Sequence, residues 1–340
     1  MDIRAVDPHD EALFHEYYLA SERAQRHGRE YPTFWSEPEV LAMFRAEPEE
    51  ERIEPFAAFE GDEIVGTGVL FFPLLANTHM AFTELDTVPE RRREGVGSAL
   101  VDHVLTRVAA AGRTLVMVQA ILPIGAGDGH PVKRFAAKHR FSLGNEELRR
   151  LLQLPIDEDV IQGWIDECAP HHVDYRIEQY VDDGVPEHLL PSYVHTLNQL
   201  AADAPTGEIE FEAEATTVEI YQHNVAQGMG AGRQVFRTLA VTTGPDGLDE
   251  VVAHTQLACP PEGADPPYGY QWGTLVLQGH RGHRLGLAMK AVNLRAFQVA
   301  HPERTMITTQ NSPVNGPMVS INERIGFRPV EVGAEYVRQL

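Results

Sequence analysis

Two short stretches combine glycine, arginine and a following apolar helical pattern in a way that suits a bound diphosphate. The first is Arg92-Arg93-Glu94-Gly95-Val96-Gly97, followed by Ser98; the second is Arg281-Gly282-His283-Arg284-Leu285-Gly286, followed by Leu287. The first N–H groups of a helix have no intrahelical partner, so its N-terminus attracts anions, and glycines ahead of it let an anion approach the backbone. Guanidinium groups add charge, and Ser98 adds a hydroxyl near the start of the first helix. Candidate proton acceptors stand nearby in sequence. Glu84 and Asp86 lie two residues apart in an apolar run that enters the first stretch, so as strand residues they share one face. His254 is the corresponding candidate in the second half. A run of alternating acids, Glu208-Ile-Glu-Phe-Glu-Ala-Glu214, would line four carboxylates along one side if extended. It suits a cationic small molecule, and the plainer reading is a solvated acidic edge that resists aggregation.

The elements that must position these residues follow the same order twice. Apolar spacing predicts helices over 12–26 and 38–47, then a hairpin of strands 56–60 and 63–72 about Gly61-Asp62. A strand over 81–88 leads into the glycine stretch, and a helix over 98–111 follows it. Gly112 ends that helix, 115–122 reads as a strand, and 132–138 as a short helix before a closing strand pair. The second half has a helical zone at 186–201, strands at 234–243, 250–258 and 272–277, a helix at 287–300, a strand at 305–309, a helix at 318–324 and a last strand. A match this long implies duplication of a whole domain. The acidic, proline-bearing stretch 155–170 is the natural boundary, which gives domains over 1–155 and 173–340 with a linker at 156–172, where 160–164 suits a connecting helix. The expected fold class is α/β: two tandem units, each a twisted, mostly antiparallel sheet flanked by helices.

The strand, Arg92-x-x-Gly95-x-Gly97 and helix together resemble the acyl-CoA signature of the GCN5-related N-acetyltransferases, the GNAT family. Arg281 through Gly286 is similar to the same signature, and Asn315 through Asn322-Glu-Arg-Ile-Gly326-Phe327 resembles the family's fourth-helix motif. The resemblance implies acetyl-CoA (coenzyme A) as co-substrate and transfer of its acetyl group to the primary amine of a small molecule, for which a cation is one option, by direct attack. It implies cofactor contacts at Val88, Arg92, Arg93, Gly95, Val96, Gly97 and Ser98 in the first half. In the second half it implies Leu277, Arg284, Leu285, Gly286, Leu287 and Asn315. Val88 and Leu277 would lie beside pantetheine, which pairs with the sheet as an added strand. Asn322 stands at the position of the family's acid tyrosine, and Ala136 does so in the first half. A thiol pKa near about 8.5 lets a thiolate leave without a dedicated acid. Arg284 stands where the signature usually has glycine, which predicts a backbone there that avoids positive φ. An acyl-CoA-binding sensor or assembly module without turnover is the alternative.

Composition narrows the field further. A chain of 340 residues favours two cores. A net charge of −22, with Lys133, Lys138 and Lys290 the only lysines, argues against nucleic acid as a partner. No run approaches the roughly 20 apolar residues that span a bilayer, and no basic leader opens the chain, so a cytoplasmic monomer or homodimer is expected. Cys168 and Cys259, far apart, read as buried thiols. A dinucleotide G-x-G-x-x-G is absent; Gly228-Met-Gly-Ala-Gly232 and Gly125-Ala-Gly-Asp-Gly129 read as loops. His280-x-x-His283 falls within the glycine stretch and His171-His172 would project apart, so no metal site is expected.

Overall fold

The computed structural model describes every residue except 47, 49, 204–206, 208, 210, 213–215 and 262–266. Glu208, Glu210 and Glu214 of the alternating acids therefore lie outside the described residues. Two compact units emerge: Met1–Leu148 with Thr206–Glu212 and Val330–Leu340, and Arg149–Pro205 with Ala213–Pro329.

Unit 1 starts with a short edge strand, β1 (Asp2–Ala5), and helices α1 (Glu11–Arg26) and α2 (Glu37–Arg45). Asp10 caps α1 by accepting from the Leu13 N–H at 3.2 Å, and Ser36 with Glu39 forms a capping box on α2. Strands β2 (Glu51–Glu60) and β3 (Glu63–Pro73) form the hairpin, turning at Gly61 with φ 65°. β3 pairs antiparallel with β4 (Met80–Thr87), which leads through the glycine stretch into α3 (Val96–Ala110). Then come β5 (Leu115–Pro123), α4 (Pro131–Lys138) and β6 (Ser142–Gln153). Each sheet face buries its own cluster. Val96, Leu100, Val101, Val104 and Val108 of α3 pack with Phe56, Leu70 and Val116. Phe14, Tyr17 and Tyr18 of α1 pack with Phe44, Phe59 and Val69.

Unit 2 repeats this order: α5 (Glu158–Cys168), β7 (Arg176–Val181), α6 (Leu190–Asp203), α7 (Val218–Gly230), β8 (Gln234–Thr243), β9 (Asp249–Cys259), β10 (Tyr268–Val276), α8 (Leu285–Ala300), β11 (Met306–Asn311) and α9 (Gly316–Ile325); the last strand, β12 (Arg328–Gln339), belongs to unit 1 from Val330 on. β7, β8, β9 and β10 pair antiparallel in turn, and β11 runs parallel to β10. Leu287, Leu294 and Phe297 of α8 pack with Ile161 and Cys168 of α5, whereas Tyr193 and Tyr221 from α6 and α7 cover the other face with Leu239 and Val251.

The expected α/β repeat, a sheet flanked by helices, is present in both units, with three departures. The closing strand pair of the first half is a single strand, β6, and the strand that pairs with β5 in unit 1 is the chain's last, β12, whose residues Glu331–Gln339 run antiparallel to Leu115–Pro123. Short-range patterning cannot reveal a partner some 200 residues away. The segment suggested as a linker folds as α5, whose Ile161 and Cys168 are fully buried in unit 2, and that unit starts at Arg149 rather than at residue 173. Gly228 and Gly230 belong to α7 rather than to a loop; only Gly232, with φ 80°, has left the helix. Each helical glycine costs about 1 kcal/mol relative to alanine, which the Thr217 cap and burial of Tyr221 offset. Cys168 and Cys259 are both free and buried.

Candidate active site

The parallel pairing of β4 with β5 stops at Thr83 and Val118, although β4 continues to Thr87. Beyond that point β4 has a hydrogen-bonded neighbour only in β3. The Val88 N–H donates to the Val65 carbonyl at 3.1 Å, and the Val88 carbonyl accepts from Arg91 N at 2.9 Å. Val88 therefore has no backbone group left for pantetheine. Antiparallel alternation turns Leu85 and Thr87 to the open edge instead. Unit 2 has the same construction. β10 pairs with β11 only over Tyr268–Tyr270, the Leu277 N–H donates to Val252 at 3.0 Å, the Leu277 carbonyl accepts from His280 N at 2.8 Å, and Thr274 and Val276 face the open side. Val88 and Leu277, expected beside pantetheine, have their backbone groups paired; the open backbone groups lie one position earlier because pairing parity, invisible in a single strand, fixes which groups are free.

At the end of this edge the two glycine stretches fold alike. Arg93 (φ 72°) and Gly95 (φ 94°) are left-handed in unit 1, as are Gly282 (φ 90°) and Arg284 (φ 54°) in unit 2. Gly95 and Arg284 are the respective N-cap residues, and neither has a side-chain cap bond, so the leading N–H groups of α3 and α8 have no capping side chain. The expectation that Arg284 avoids positive φ is overturned. The turn imposes the left-handed conformation, at about 1–2 kcal/mol for a non-glycine residue, while the Arg284 guanidinium pairs with Glu167 of α5. Arg92 donates from Nε to the Thr87 carbonyl at 3.5 Å and from Nη2 to the Ala24 carbonyl at 3.3 Å. Its counterpart is Arg281, which donates to the Val276 carbonyl at 3.1 Å and pairs with Asp203 at 2.9 Å.

The two helix starts differ in what surrounds them. In unit 1, Val96 is buried, but Gly97 and Ser98 are half-buried, and Ser98 Oγ accepts from Lys138 Nζ at 2.9 Å and contacts His139 Nε2 at 3.0 Å. Burial first, and then Lys138, hold the His139 imidazole below its usual pKa. Lys138 thus brings a cation to the start of α3; its place at the end of a short helix after β5, as one of only three lysines in the chain, was the available signal. In unit 2, Leu285, Gly286 and Leu287 are all buried, and α5 packs on α8. Glu167 joins both Arg284 and Arg324, and the His171 carbonyl contacts His283 Nδ1 at 3.1 Å. Asn315 caps α9 by accepting from Met318 N at 3.4 Å.

Glu84 and Asp86 share the face of β4 that meets α1. Asp86 Oδ2 accepts from Ser21 Oγ and Gln25 Nε2, each at 2.9 Å. Glu84 is exposed on this face, yet protein atoms crowd around its carboxyl. That crowding, and then the Asp86 charge, push it up to about 7. Burial also raises Asp86, against the opposing pull of Gln25, Ser21, Arg92 and Arg29. The Arg29 guanidinium makes a bidentate pair with the buried Glu331 of β12 at 2.9 and 2.8 Å. A carboxyl near pH 7 exchanges protons readily with an amine at neutral pH.

The candidates of unit 2 are placed differently. His254 is fully buried, its Nδ1 lies 2.8 Å from Thr196 Oγ1, its Nε2 has no partner, and burial lowers its pKa to about 3. So depressed, it is a poor proton acceptor. Asn322 is also buried: its Oδ1 accepts from Lys290 Nζ at 2.8 Å and its Nδ2 donates to Asn311 Oδ1 at 3.2 Å. It serves a core network in which burial brings Lys290 down to about 7. Of the alternating acids, Glu212 belongs to unit 1, where its Oε2 accepts from the Asn77 N–H at 2.7 Å and Phe211 stacks on Phe82. Cys259, His301 and Glu303 of unit 2 bring ligand-type atoms within 4.8 Å of one another, but both nitrogens of His301 already face partners, Glu303 at 3.1 Å and Gln234 at 2.7 Å.

Residues 19–122, which carry β2 to β5, the open edge and the first glycine stretch, match the family model described as the acetyltransferase (GNAT) family. This part of the chain is similar to the GNAT acetyltransferases, a family that transfers acyl groups from acyl-CoA. Over its whole length the chain has a tandem GNAT fold. A tandem GNAT protein from the clavulanic acid biosynthesis pathway is similar over 99% of this chain and 98% of its own, with a TM-score of 0.78 at 20% identity. A GCN5-related N-acetyltransferase from Sphaerobacter thermophilus is similar over 99% and 95%, with a TM-score of 0.61 at 14% identity. A GCN5-related glucosamine N-acetyltransferase region of a fungal multi-domain β-N-acetylglucosaminidase is similar over 99% of this chain and 38% of that one, with a TM-score of 0.64 at 13% identity. No curated protein matches the sequence. Among the described residues, no helix is long and apolar enough to cross a membrane.

Proposed function

We propose that unit 1 acetylates the primary amine of a small molecule with acetyl-CoA, by direct attack and with Glu84 as general base. The observation that carries this is the placing of Glu84, its carboxyl pushed up to about 7, where β4 has passed the end of its pairing with β5 and leads into the α3 N-terminus. The leading N–H groups of α3, with Arg92, Arg93 and Ser98, hold the pyrophosphate, and the open edge at Leu85 and Thr87 pairs with pantetheine. Lys138 adds a charge beside Ser98. The amine arrives as an ammonium drawn by the Glu84 and Asp86 pair, and Glu84 takes its proton. Glu84 returns that proton to solvent, the nitrogen lone pair attacks the thioester carbonyl, and as the C–S bond breaks the second proton of the adduct nitrogen passes through water to the departing thiolate. No tyrosine acid is required, which fits Ala136 at that position in α4.

Unit 2 contributes no turnover in this reading. Its helix start is packed under α5, its Arg284 is committed to Glu167, and its histidine is buried and neutral. The test is steady-state acetylation over a panel of primary amines with Glu84→Gln and His254→Asn variants. Loss of kcat by at least about 100-fold in the first alone is the expected result for a general base. Undiminished turnover in Glu84→Gln would remove the proposal.

A further inference from the structure

Unit 2 carries a half-open cavity of about 300 Å³ away from its glycine stretch, lined from α6, α7, β8, β9 and β10. Its size falls at the lower end for small-molecule sites. Arg237 of β8 lines it and is only 4% exposed. A buried guanidinium is costly unless matched by an anion. Here Nη1 reaches only backbone carbonyls, those of Asp182 and Val235, and Nε has no partner. Asp182, the one acid among the described lining residues, instead accepts from the Val235 N–H at 2.7 Å through Oδ1. Tyr221 of α7 also lines the cavity, under the Arg237 guanidinium at 5.6 Å from its ring, and its buried hydroxyl lies beside Tyr193 and Arg237 without hydrogen-bonding geometry to either. Arg233 and Trp272 form a second cation-over-ring pair on the wall at 5.6 Å.

Two buried groups with unmet hydrogen-bonding capacity, one of them a fixed cation, call for a ligand group that accepts hydrogen bonds and carries negative charge. Leu197, Val225 and Met229 supply apolar wall for the rest of the ligand. We propose that this cavity is a binding site for a small organic carboxylate, with its carboxylate on Arg237 and Tyr221 and its apolar body against Trp272. The site stands apart from the acyl-CoA reading of unit 1, since it is filled without coenzyme A.

Phenylacetate is the probe, with phenylacetamide as neutral isostere, phenethylamine as cation and inorganic phosphate as the other anion. Tryptophan fluorescence of the full chain without coenzyme A reads occupancy, because Trp272 is on the wall; Trp272→Phe should remove the response. Phenylacetate should bind at least about tenfold more tightly than its amide and than phenethylamine, the difference expected for a charge-assisted contact. Arg237→Gln should abolish the preference. Should that variant not fold, Gly228→Leu supplies the second test: Gly228 lines the cavity on α7 and a Cβ there meets nothing within 4 Å, so the larger side chain enters the cavity and should block binding in a folded chain. Equal binding of acid and amide, tighter binding of phosphate, or no saturable response to phenylacetate would each overturn the proposal.

Discussion

Glu167 is ion-paired with Arg284, the left-handed N-cap of α8, so a carboxylate from the chain itself already holds the cation where the second glycine stretch enters the helix. Gly95, its counterpart before α3, has no side chain, and nothing lies within 4 Å of where a Cβ would stand. Calorimetric titration should accordingly find one acetyl-CoA per chain. Gly95→Glu should weaken binding at least about tenfold by placing like charge beside the pyrophosphate, whereas Gly95→Asn, which tolerates the same φ, should retain more of it. Arg284→Ala should leave the stoichiometry at one. Two sites in the native chain would contradict the assignment of unit 2.

The pH dependence of turnover should follow Glu84. With its pKa raised to about 7, the free base exists above that value, so kcat/KM should rise with pH through about 7 and level off. Stability runs the other way. The folded carboxyl holds its proton more firmly than the unfolded one, so the native state loses stability as pH rises from about 4.5 to about 7. Glu84→Gln should therefore raise Tm at pH 8 while removing turnover. A lower Tm at pH 8 would show that the charge is stabilising in place.

Asp86 is the second cause of that shift, after burial. Asp86→Asn removes the neighbouring charge and should move the acid limb of kcat/KM to lower pH, yet not as far as the ordinary carboxyl value, because the crowding around Glu84 remains. A limb that stays at about 7 would mean that burial alone sets it.

Unit 2 should respond to pH in two windows. His254 is neutral when folded, so the unfolded chain binds its proton first, and stability falls as pH drops from 6.5 towards about 3, by about 1.4 kcal/mol per unit. Lys290, lowered to about 7, makes stability rise with pH from about 7 to about 10.5. Urea unfolding in a Trp35→Phe background, where the remaining Trp164 and Trp272 report on unit 2, should show both slopes. His254→Asn should flatten the first and Lys290→Met the second. Unchanged slopes would place the titrating groups elsewhere.

The sequence by itself determined what rests on neighbours in the chain. Strand, glycine stretch and helix follow in order twice because alternation, helical spacing and turn residues act within a few positions. Asp10 and Ser36 cap helices whose starts their own types signal. Glu84 and Asp86 share a face by strand geometry alone. Short, charged edge strands such as Asp2–Ala5 and Arg176–Val181 carry too little apolar alternation to stand out. Tertiary structure decided the rest. Which strand completes unit 1 depends on pairing across more than 200 residues, and which backbone groups of β4 remain open depends on register with β3. The proton affinity of Glu84 arises from crowding and the Asp86 charge, and the neutrality of His254 and the unmatched guanidinium of Arg237 from burial, all of them properties of the packed surroundings. Identical residues in an extended chain would titrate at ordinary values and be fully solvated, so no local pattern could have distinguished them.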